Sequence, residues 1–295
     1  MDPISCATSS WGPPLVMMLC RVLPRGTIHC LGGWLSACLS RRGDLAFVQA
    51  LSANLAVVHG LPEWDSRVRK AVALLLKNTI VSYADLFWML QSGTPEGRML
   101  CQLDPGIRQA IEGCLATRRG LVLVGAHMCS FDILLFGLRQ VFPAVQILTN
   151  ADPRGSSQFM NRLRMQHGLL VTPLSVGSLR QAMVRLCQGG VVAIAADIPV
   201  EGGEPLTFFG RSSHLPVGHT RLALDTGSHV LVGVSHRGDE GSYRAELALA
   251  PRPESSGDRK QDAVRWAQAS LHLLEGFIRR WPHEWLMPHP VWSTS

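Results

Sequence analysis

The sequence lacks the patterns by which several common kinds of site are recognised. Its eight cysteines, at positions 6, 20, 30, 38, 101, 114, 129 and 187, form no CxxC pair and no Cys/His spacing typical of zinc. Most of them lie within apolar segments, which predicts buried thiols in a reducing compartment and no metal site. The sequence also has no G-x-S-x-G motif, the pattern that carries the nucleophile of many serine hydrolases.

Lysine is nearly absent, because Lys70, Lys77 and Lys260 are the only three among 28 basic residues. The formal net charge is nevertheless +6, and the isoelectric point is about 9.1. Arginine favours phosphate and carboxylate partners, including an anionic membrane surface, although a GC-rich coding bias would produce the same composition. The basic residues are spread out and form no stripe with aromatic residues, so a nucleic-acid partner is not expected.

The N-terminal region has no uninterrupted run of the ~18 apolar residues that a membrane-spanning helix needs. Residues 13–42 are apolar, but Arg21 and Arg25 interrupt them, and Arg41 and Arg42 follow. This pattern predicts a pair of helices that lies in the membrane interface. A helical hairpin that covers the core of the domain is the alternative.

The order of apolar segments predicts an α/β fold with a mostly parallel central sheet flanked by helices. The expected strands, at 121–126, 145–150, 169–174 and 191–196, alternate with helical stretches at 130–140, 155–167 and 178–188. A polar loop at 198–218, a short helix, two further strands and a final helix at 258–280 complete the chain. Residues 1–118 are predicted to form an N-terminal helical region and 119–295 the α/β core, as one continuous domain.

The stretch GAHMCSFDIL (125–134) places His127 directly after the first predicted strand and Asp132 five positions later. Ligands bind beyond the carboxyl ends of parallel strands, so His127 is well placed for chemistry. Ser130 is predicted to cap the following helix, with Asp132 in its first turn. Across such a turn, Asp132 could fix the tautomer of a catalytic histidine. A solvent-facing histidine before a helix-start aspartate would show the same spacing.

This H-x4-D motif resembles the signature of the lysophospholipid acyltransferase superfamily. Three further segments are similar to its lipid A biosynthesis (LpxL/HtrB-like) branch: NRLRMQHG (161–168), the strand, glycine-rich loop and FFG of 189–237, and FIRRWPHEWLMPHPVW (277–292). NLAVVHG and SYADLFWML match the helical N-terminal region of that branch. The resemblance therefore covers nearly the whole chain.

The resemblance implies a membrane-associated O-acyltransferase at the cytoplasmic face, peripheral or monotopic. Such an enzyme moves a fatty acyl group from acyl carrier protein (ACP) or coenzyme A to a hydroxyl of a glycolipid or lysolipid, with no cofactor besides this co-substrate. His127 would be the general base and Asp132 its partner. Asp197 and Glu201 are alternative carboxylates. Many members carry Glu where Asp132 stands. This departure from the family pattern leaves the acceptor undecided between a mannosylated lipid and lipid A.

The same resemblance suggests binding roles for other residues. Asn161 and Arg164, with Gly210 and Arg211, are candidates for binding substrate or phosphate, and Phe208 and Phe209 for lining an acyl channel. A surface arginine and ordinary core aromatics are the competing interpretations. For the whole chain, the alternatives are an esterase or thioesterase that uses the same His/Asp pair, and a non-enzymatic basic protein that binds membrane or nucleic acid.

Overall fold

The computed structural model describes residues 12–92, 105–138, 144–238 and 241–292. The cysteines at 6 and 101 lie outside these residues. The helices within them are α1 (Gly12–Val22), α2 (Arg25–Leu39), α3 (Ala46–His59), α4 (Ser66–Ser92), α5 (Pro105–Ala116), α6 (Phe131–Leu138), α7 (Ser156–Gln166), α8 (Val176–Cys187), α9 (Gly218–Thr226) and α10 (Arg259–Arg280), followed by a 3₁₀ turn at Pro282–Glu284.

A six-stranded sheet forms the centre of the molecule. Its strands are β1 (Leu121–Gly125), β2 (Val145–Thr149), β3 (Leu170–Pro173), β4 (Val191–Ala195), β7 (His229–Arg237) and β8 (Tyr243–Leu249), in the order β3-β2-β4-β1-β7-β8. Neighbours are parallel except β7 and β8, which are antiparallel. The predicted α/β fold with a mostly parallel sheet is confirmed.

Both faces of the sheet are covered by helices, which explains why its strands are nearly continuous apolar runs. Val122 and Val124 of β1 face a cluster built with α8, α9 and α10. Leu121 and Leu123 face the other side, where α5 and α6 pack. Alternate residues of one strand therefore stabilise opposite layers of the core.

The polar segment after β4 is not the loop that its glycines and prolines suggested. It contains a β-hairpin of strands β5 (Glu204–Phe208) and β6 (Arg211–Leu215). Alternate side chains of β5 are buried, which is the period-two pattern that the loop prediction overlooked. Phe209 and Gly210 form the turn with φ angles of 50° and 76°, a left-handed conformation that is uncommon for phenylalanine.

The N-terminal helices pack on one another and on the core. Helix α2 lies along α4, where Gly32 and Ser36 are buried. The fully buried Asp85 of α4 accepts hydrogen bonds from Arg25 Nε at 2.7 Å and from the Tyr243 hydroxyl at 2.8 Å. One carboxylate thus joins α2, α4 and β8. The division at residue 118 stays a prediction.

Within the described ranges, one helical span, Ser66–Gln91 in α4, is long and apolar enough to cross a membrane, with a mean hydropathy of 1.2. More than half of its apolar window is buried inside the fold. A buried core helix passes the same test of length and composition, so this finding is weak evidence for a membrane span.

Candidate active site

Strand pairing brings His127 and Asp197 together. β1 and β4 are parallel neighbours, and Gly125 lies opposite Ala195. His127 and Asp197 each follow these paired residues by two positions, so both side chains emerge at the same carboxyl edge of the sheet. This edge is the place where open parallel sheets bind ligands.

The imidazole of His127 is held by the carboxylate of Asp197. His127 Nδ1 lies 2.6 Å from Asp197 Oδ1, and the His127 backbone N–H donates to Asp197 Oδ2 over 2.8 Å. Asp197 is fully buried, whereas 40% of the His127 side chain is exposed. Nε2 has no hydrogen-bond partner among the described residues. With Nδ1 donating to the carboxylate, the neutral ring carries its lone pair on Nε2.

The charges of this pair reinforce each other. Burial disfavours the imidazolium, but the negative charge and hydrogen bond of Asp197 outweigh this effect and raise the pKa of His127. Burial likewise opposes ionisation of Asp197, yet His127 and the N–H donors around the carboxylate lower its pKa. The carboxylate is therefore ionised at neutral pH and favours a proton on the imidazole.

Asp132, which was predicted to pair with His127, has a different partner. It receives two hydrogen bonds from Arg164, from Nε at 2.5 Å and from Nη2 at 3.0 Å. Asp132 lies in the first turn of α6, as expected, but Arg164 reaches it there from α7. Ser130 Oγ donates to Ser235 Oγ over 2.9 Å, and its predicted role as a helix cap stays a prediction. Local spacing thus gave the wrong partner for His127.

Arg164 and Asn161 form a small polar cluster with Asp132. Arg164 Nη1 donates to Asn161 Oδ1 over 2.8 Å, and Asn161 Nδ2 lies 3.4 Å from Thr149 Oγ1. Burial disfavours the charge of Arg164, but Asp132 outweighs it and raises the pKa of the guanidinium. All three side-chain nitrogens of Arg164 thus have protein partners. In the structure this residue links α7 to α6.

The remaining sequence candidates lie on or near the hairpin. Glu201 is exposed on the turn before β5, and the carboxylate that the structure places against His127 is that of Asp197. Gly210 and Arg211 are exposed at the tip of the hairpin. Their assignment to substrate or phosphate binding stays a prediction.

Phe208 and Phe209 are buried in an aromatic cluster with Trp285 and Trp292. Ring centroids of the two phenylalanines lie 5.9 and 6.1 Å from that of Trp285. Arg279 stacks over Phe209, with its guanidinium carbon 4.7 Å from the ring centroid. This packing accounts for both rings as core aromatics, and their acyl-channel role stays a prediction.

The side chain of Trp285 extends from this cluster to the buried carboxylate. Its indole Nε1–H donates to Asp197 Oδ2 over 2.8 Å. The spacing of the C-terminal segment held no signal for this contact, because the segment returns to the sheet edge from 88 positions away.

The structure offers neither a reactive thiol at Cys129 nor a metal-binding cluster within the described residues. Cys129 is buried, and its Sγ lies 3.2 Å from Thr79 Oγ1. Burial raises the pKa of its thiol well above the usual range, so a thiolate nucleophile is disfavoured. Among the residues that the structure describes, no group of three or more His, Cys, Asp or Glu side chains could hold a metal ion.

Comparison with known proteins assigns the chain to a family. The model of the bacterial lipid A biosynthesis acyltransferase family matches residues 7–294. The chain is also similar to a phosphatidylinositol mannoside acyltransferase of Mycolicibacterium smegmatis, with 26% identity over 256 residues, 84% of this chain and 80% of the relative. Members of this family are membrane-associated and act on lipid acceptors. The chain belongs to the bacterial lipid A biosynthesis acyltransferase family and is an acyltransferase of lipid biosynthesis.

Proposed function

We propose that the protein transfers a fatty acyl group from a carrier thioester, acyl-ACP or acyl-CoA, to a hydroxyl of a glycolipid, with His127 as the general base. The observation that carries this proposal is the His127–Asp197 pair at the sheet edge. Asp197 occupies Nδ1, while Nε2 belongs to a side chain that is 40% exposed. This is the arrangement that base catalysis by a histidine requires.

The proposed reaction uses only these groups and the two substrates. His127 Nε2 takes the proton of the acceptor hydroxyl while the oxygen attacks the thioester carbonyl carbon. The tetrahedral intermediate collapses, the C–S bond breaks, and the leaving thiolate receives the proton from the imidazolium. Ester and free thiol are the products. Asp197 stabilises the imidazolium between these two proton transfers, and no acyl-enzyme forms.

The acceptor is proposed to be a mannosylated phospholipid. The relative from Mycolicibacterium smegmatis is named for transfer to phosphatidylinositol mannoside. Its similarity extends over most of both chains, which supports an acceptor of the same chemical class. A precursor of lipid A is the alternative, in view of the family description.

We further propose that α1 and α2 place the enzyme on the cytoplasmic face of the membrane, as a peripheral or monotopic protein. Their outward faces expose large apolar side chains, namely Leu15, Met18, Leu19, Val22, Leu31, Trp34 and Leu35, which we call the α1–α2 patch. Their inward faces pack on α4. In this proposal the helix pair has both predicted roles, because one face covers the core and the exposed apolar face contacts lipid.

Most of the arginines that flank these two helices already have partners within the protein, so they contribute less to lipid binding than the sequence suggested. Arg25 pairs with Asp85, Arg42 with Asp44, and Arg21 donates to Gln91. Arg41 is exposed. We therefore attribute membrane contact mainly to the apolar side chains of the patch.

Purified protein, supplied with acyl-CoA or acyl-ACP and with phosphatidylinositol mannoside or a lipid A precursor in parallel, tests the reaction. We expect acylated mannoside, and a loss of about 10³-fold in kcat for His127→Ala. The matched control is His272→Ala on the exposed face of α10, which should retain activity within about twofold. Full activity in a folded His127→Ala, or release of free fatty acid independent of acceptor, would overturn the proposal.

A further inference from the structure

The segment after α10 crosses the loop that carries His127. Cys129 N–H donates to the Glu284 carbonyl and Leu286 N–H to the His127 carbonyl, both over 2.7 Å. Met128 and Trp285 thereby form an isolated antiparallel bridge. Two backbone hydrogen bonds from a distant part of the chain thus fix the main chain on either side of the proposed base.

Trp285 adds a third contact from this segment, directly to the partner of His127. Its Nε1–H and the His127 backbone N–H converge on the same atom, Asp197 Oδ2, each over 2.8 Å. The other oxygen, Oδ1, is left to His127 Nδ1 at 2.6 Å. Asp197 is fully buried and Trp285 is 1% exposed, so protein N–H groups solvate this carboxylate in place of water.

The indole ring has little freedom to move away from this position. Phe208, Phe209 and Trp292 pack around it, with ring centroids 5.9, 6.1 and 6.4 Å from its own. The buried ring and its N–H therefore have one orientation in the folded protein, with the donor aimed at Oδ2.

We propose that Trp285 is a positioning residue that orients the Asp197 carboxylate and withdraws part of its charge, and so moderates the proton affinity of His127. This inference rests on the proposed function in one respect, the role of His127 as the base. A hydrogen-bond donor stabilises the ionised carboxylate and weakens its attraction for a neighbouring cation. Without the indole N–H, the Asp197 carboxylate stabilises the imidazolium of His127 more strongly, and the pKa of His127 is higher.

The other charged groups that face His127 are not altered by a change at Trp285. Arg164 and Asp132 act on His127 with opposite signs and are paired with each other. Glu284 lies in the same segment, where burial raises the pKa of its carboxyl to about 7, and it accepts a hydrogen bond from Asn78. Because Glu284 titrates in the range of histidine, the measurement must observe His127 itself.

The test compares Trp285→Phe, which retains an aromatic ring but loses the N–H, with Trp292→Phe. Trp292 belongs to the same cluster, but its indole donates to the Phe208 carbonyl over 3.1 Å instead of to the carboxylate. NMR of ¹³C-labelled histidine follows the titration, and the His127 signal is assigned by its absence in His127→Ala. We expect Trp285→Phe to raise the pKa of His127 by about half a unit to one unit, with no shift in Trp292→Phe.

Activity provides a second readout that general loosening of the fold would not reproduce. The acidic limb of the kcat/KM profile should move to higher pH by the same amount in Trp285→Phe. The kcat at the optimum should fall about 10-fold with KM nearly unchanged, because one anchor of the carboxylate is lost. A His127 pKa that is unchanged or lowered in folded Trp285→Phe overturns the inference.

A measurement on the wild-type chain keeps the inference testable if Trp285→Phe does not fold. With ¹⁵N-labelled indoles, one tryptophan N–H signal should shift with the midpoint of His127 and lose that shift in His127→Ala. An absence of any such signal overturns the inference. These titrations need neither donor nor acceptor, so acyl transfer that survives in His127→Ala refutes the proposed function alone.

Discussion

The buried charge of Asp197 makes it the residue on which His127 depends most directly. Asp197→Asn keeps the size of the side chain but removes the charge that stabilises the imidazolium. We expect kcat to fall by roughly 10³-fold and the pKa of His127 to decrease, both measurable by steady-state kinetics and histidine NMR. Glu201→Gln is the control, since Glu201 is exposed on its turn. Equal losses in both variants would contradict the assignment of Asp197.

His219 is a second residue whose burial has a measurable consequence. It is 2% exposed, neither ring nitrogen has a hydrogen-bond partner within the described ranges, and burial lowers its pKa to about 4. Between pH 6.5 and 4 the unfolded chain takes up a proton that the folded chain cannot. The free energy of unfolding should therefore decrease as pH falls through this window, by up to roughly 3 kcal/mol from this group.

Denaturant unfolding at pH 7.5 and pH 5 measures this dependence. In His219→Leu, the loss of stability between the two pH values should be smaller than in the wild type. His272→Leu, a change at an exposed histidine of α10, should leave the difference unaltered. An identical pH dependence in His219→Leu and the wild type would show that His219 binds its proton equally well in the folded and the unfolded chain, which contradicts the prediction.

Among the elements of the fold, α6 and α7 depend on the Asp132–Arg164 pair. Its side chains are only 9% and 15% exposed, so removal of one partner leaves a buried charge. Asp132→Ala or Arg164→Ala should each lower the free energy of unfolding by about 3–5 kcal/mol, and the double variant by less than the sum. The Asp225–Arg259 pair is the exposed control, with an expected cost of about 0–1 kcal/mol. Additive losses at Asp132 and Arg164 would rule out the coupling.

The elements also show how far the sequence alone could predict the site. The short apolar runs predicted β1 to β4 and placed His127 at the end of β1, because buried parallel strands have a distinctive composition. The sequence offers Asp197 as an alternative carboxylate but cannot favour it over Asp132, since its pairing with His127 depends on β4 lying beside β1. The order of strands in a sheet depends on how its layers pack, whereas local spacing indicated Asp132 as the partner of His127.

The β5–β6 hairpin illustrates a different limit. Its turn uses Phe209 at φ 50°, where glycine or asparagine is usual, so the turn residues gave no hairpin signal. The conformation is maintained by tertiary contacts, because Phe209 packs against Trp285 and its backbone N–H donates to Glu275 over 2.8 Å. A turn that is stabilised by residues far away in the sequence cannot be predicted from its own residues.

At the scale of the whole molecule, the α1–α2 patch predicts reversible binding to lipid vesicles. Trp34 is 68% exposed on this patch, whereas Trp64 is 81% exposed on the connection before α4. Trp34→Ser should reduce co-flotation with anionic vesicles several-fold, and the matched change Trp64→Ser should not. Equal binding of the two variants would place the membrane contact elsewhere. Carbonate extraction that fails to release the protein would instead indicate a spanning helix.

The C-terminal segment joins the proposed site late in synthesis. Asn54 in α3 holds it by donating to the carbonyls of Met287 and His289, and Trp285 completes the donors around Asp197. During synthesis, the strands that carry His127 and Asp197 leave the ribosome well before this segment. A nascent chain that stops ahead of Trp285 lacks this N–H on the carboxylate of Asp197. If Trp285 moderates the proton affinity of His127 as proposed, that affinity reaches its final value only after translation has passed this point.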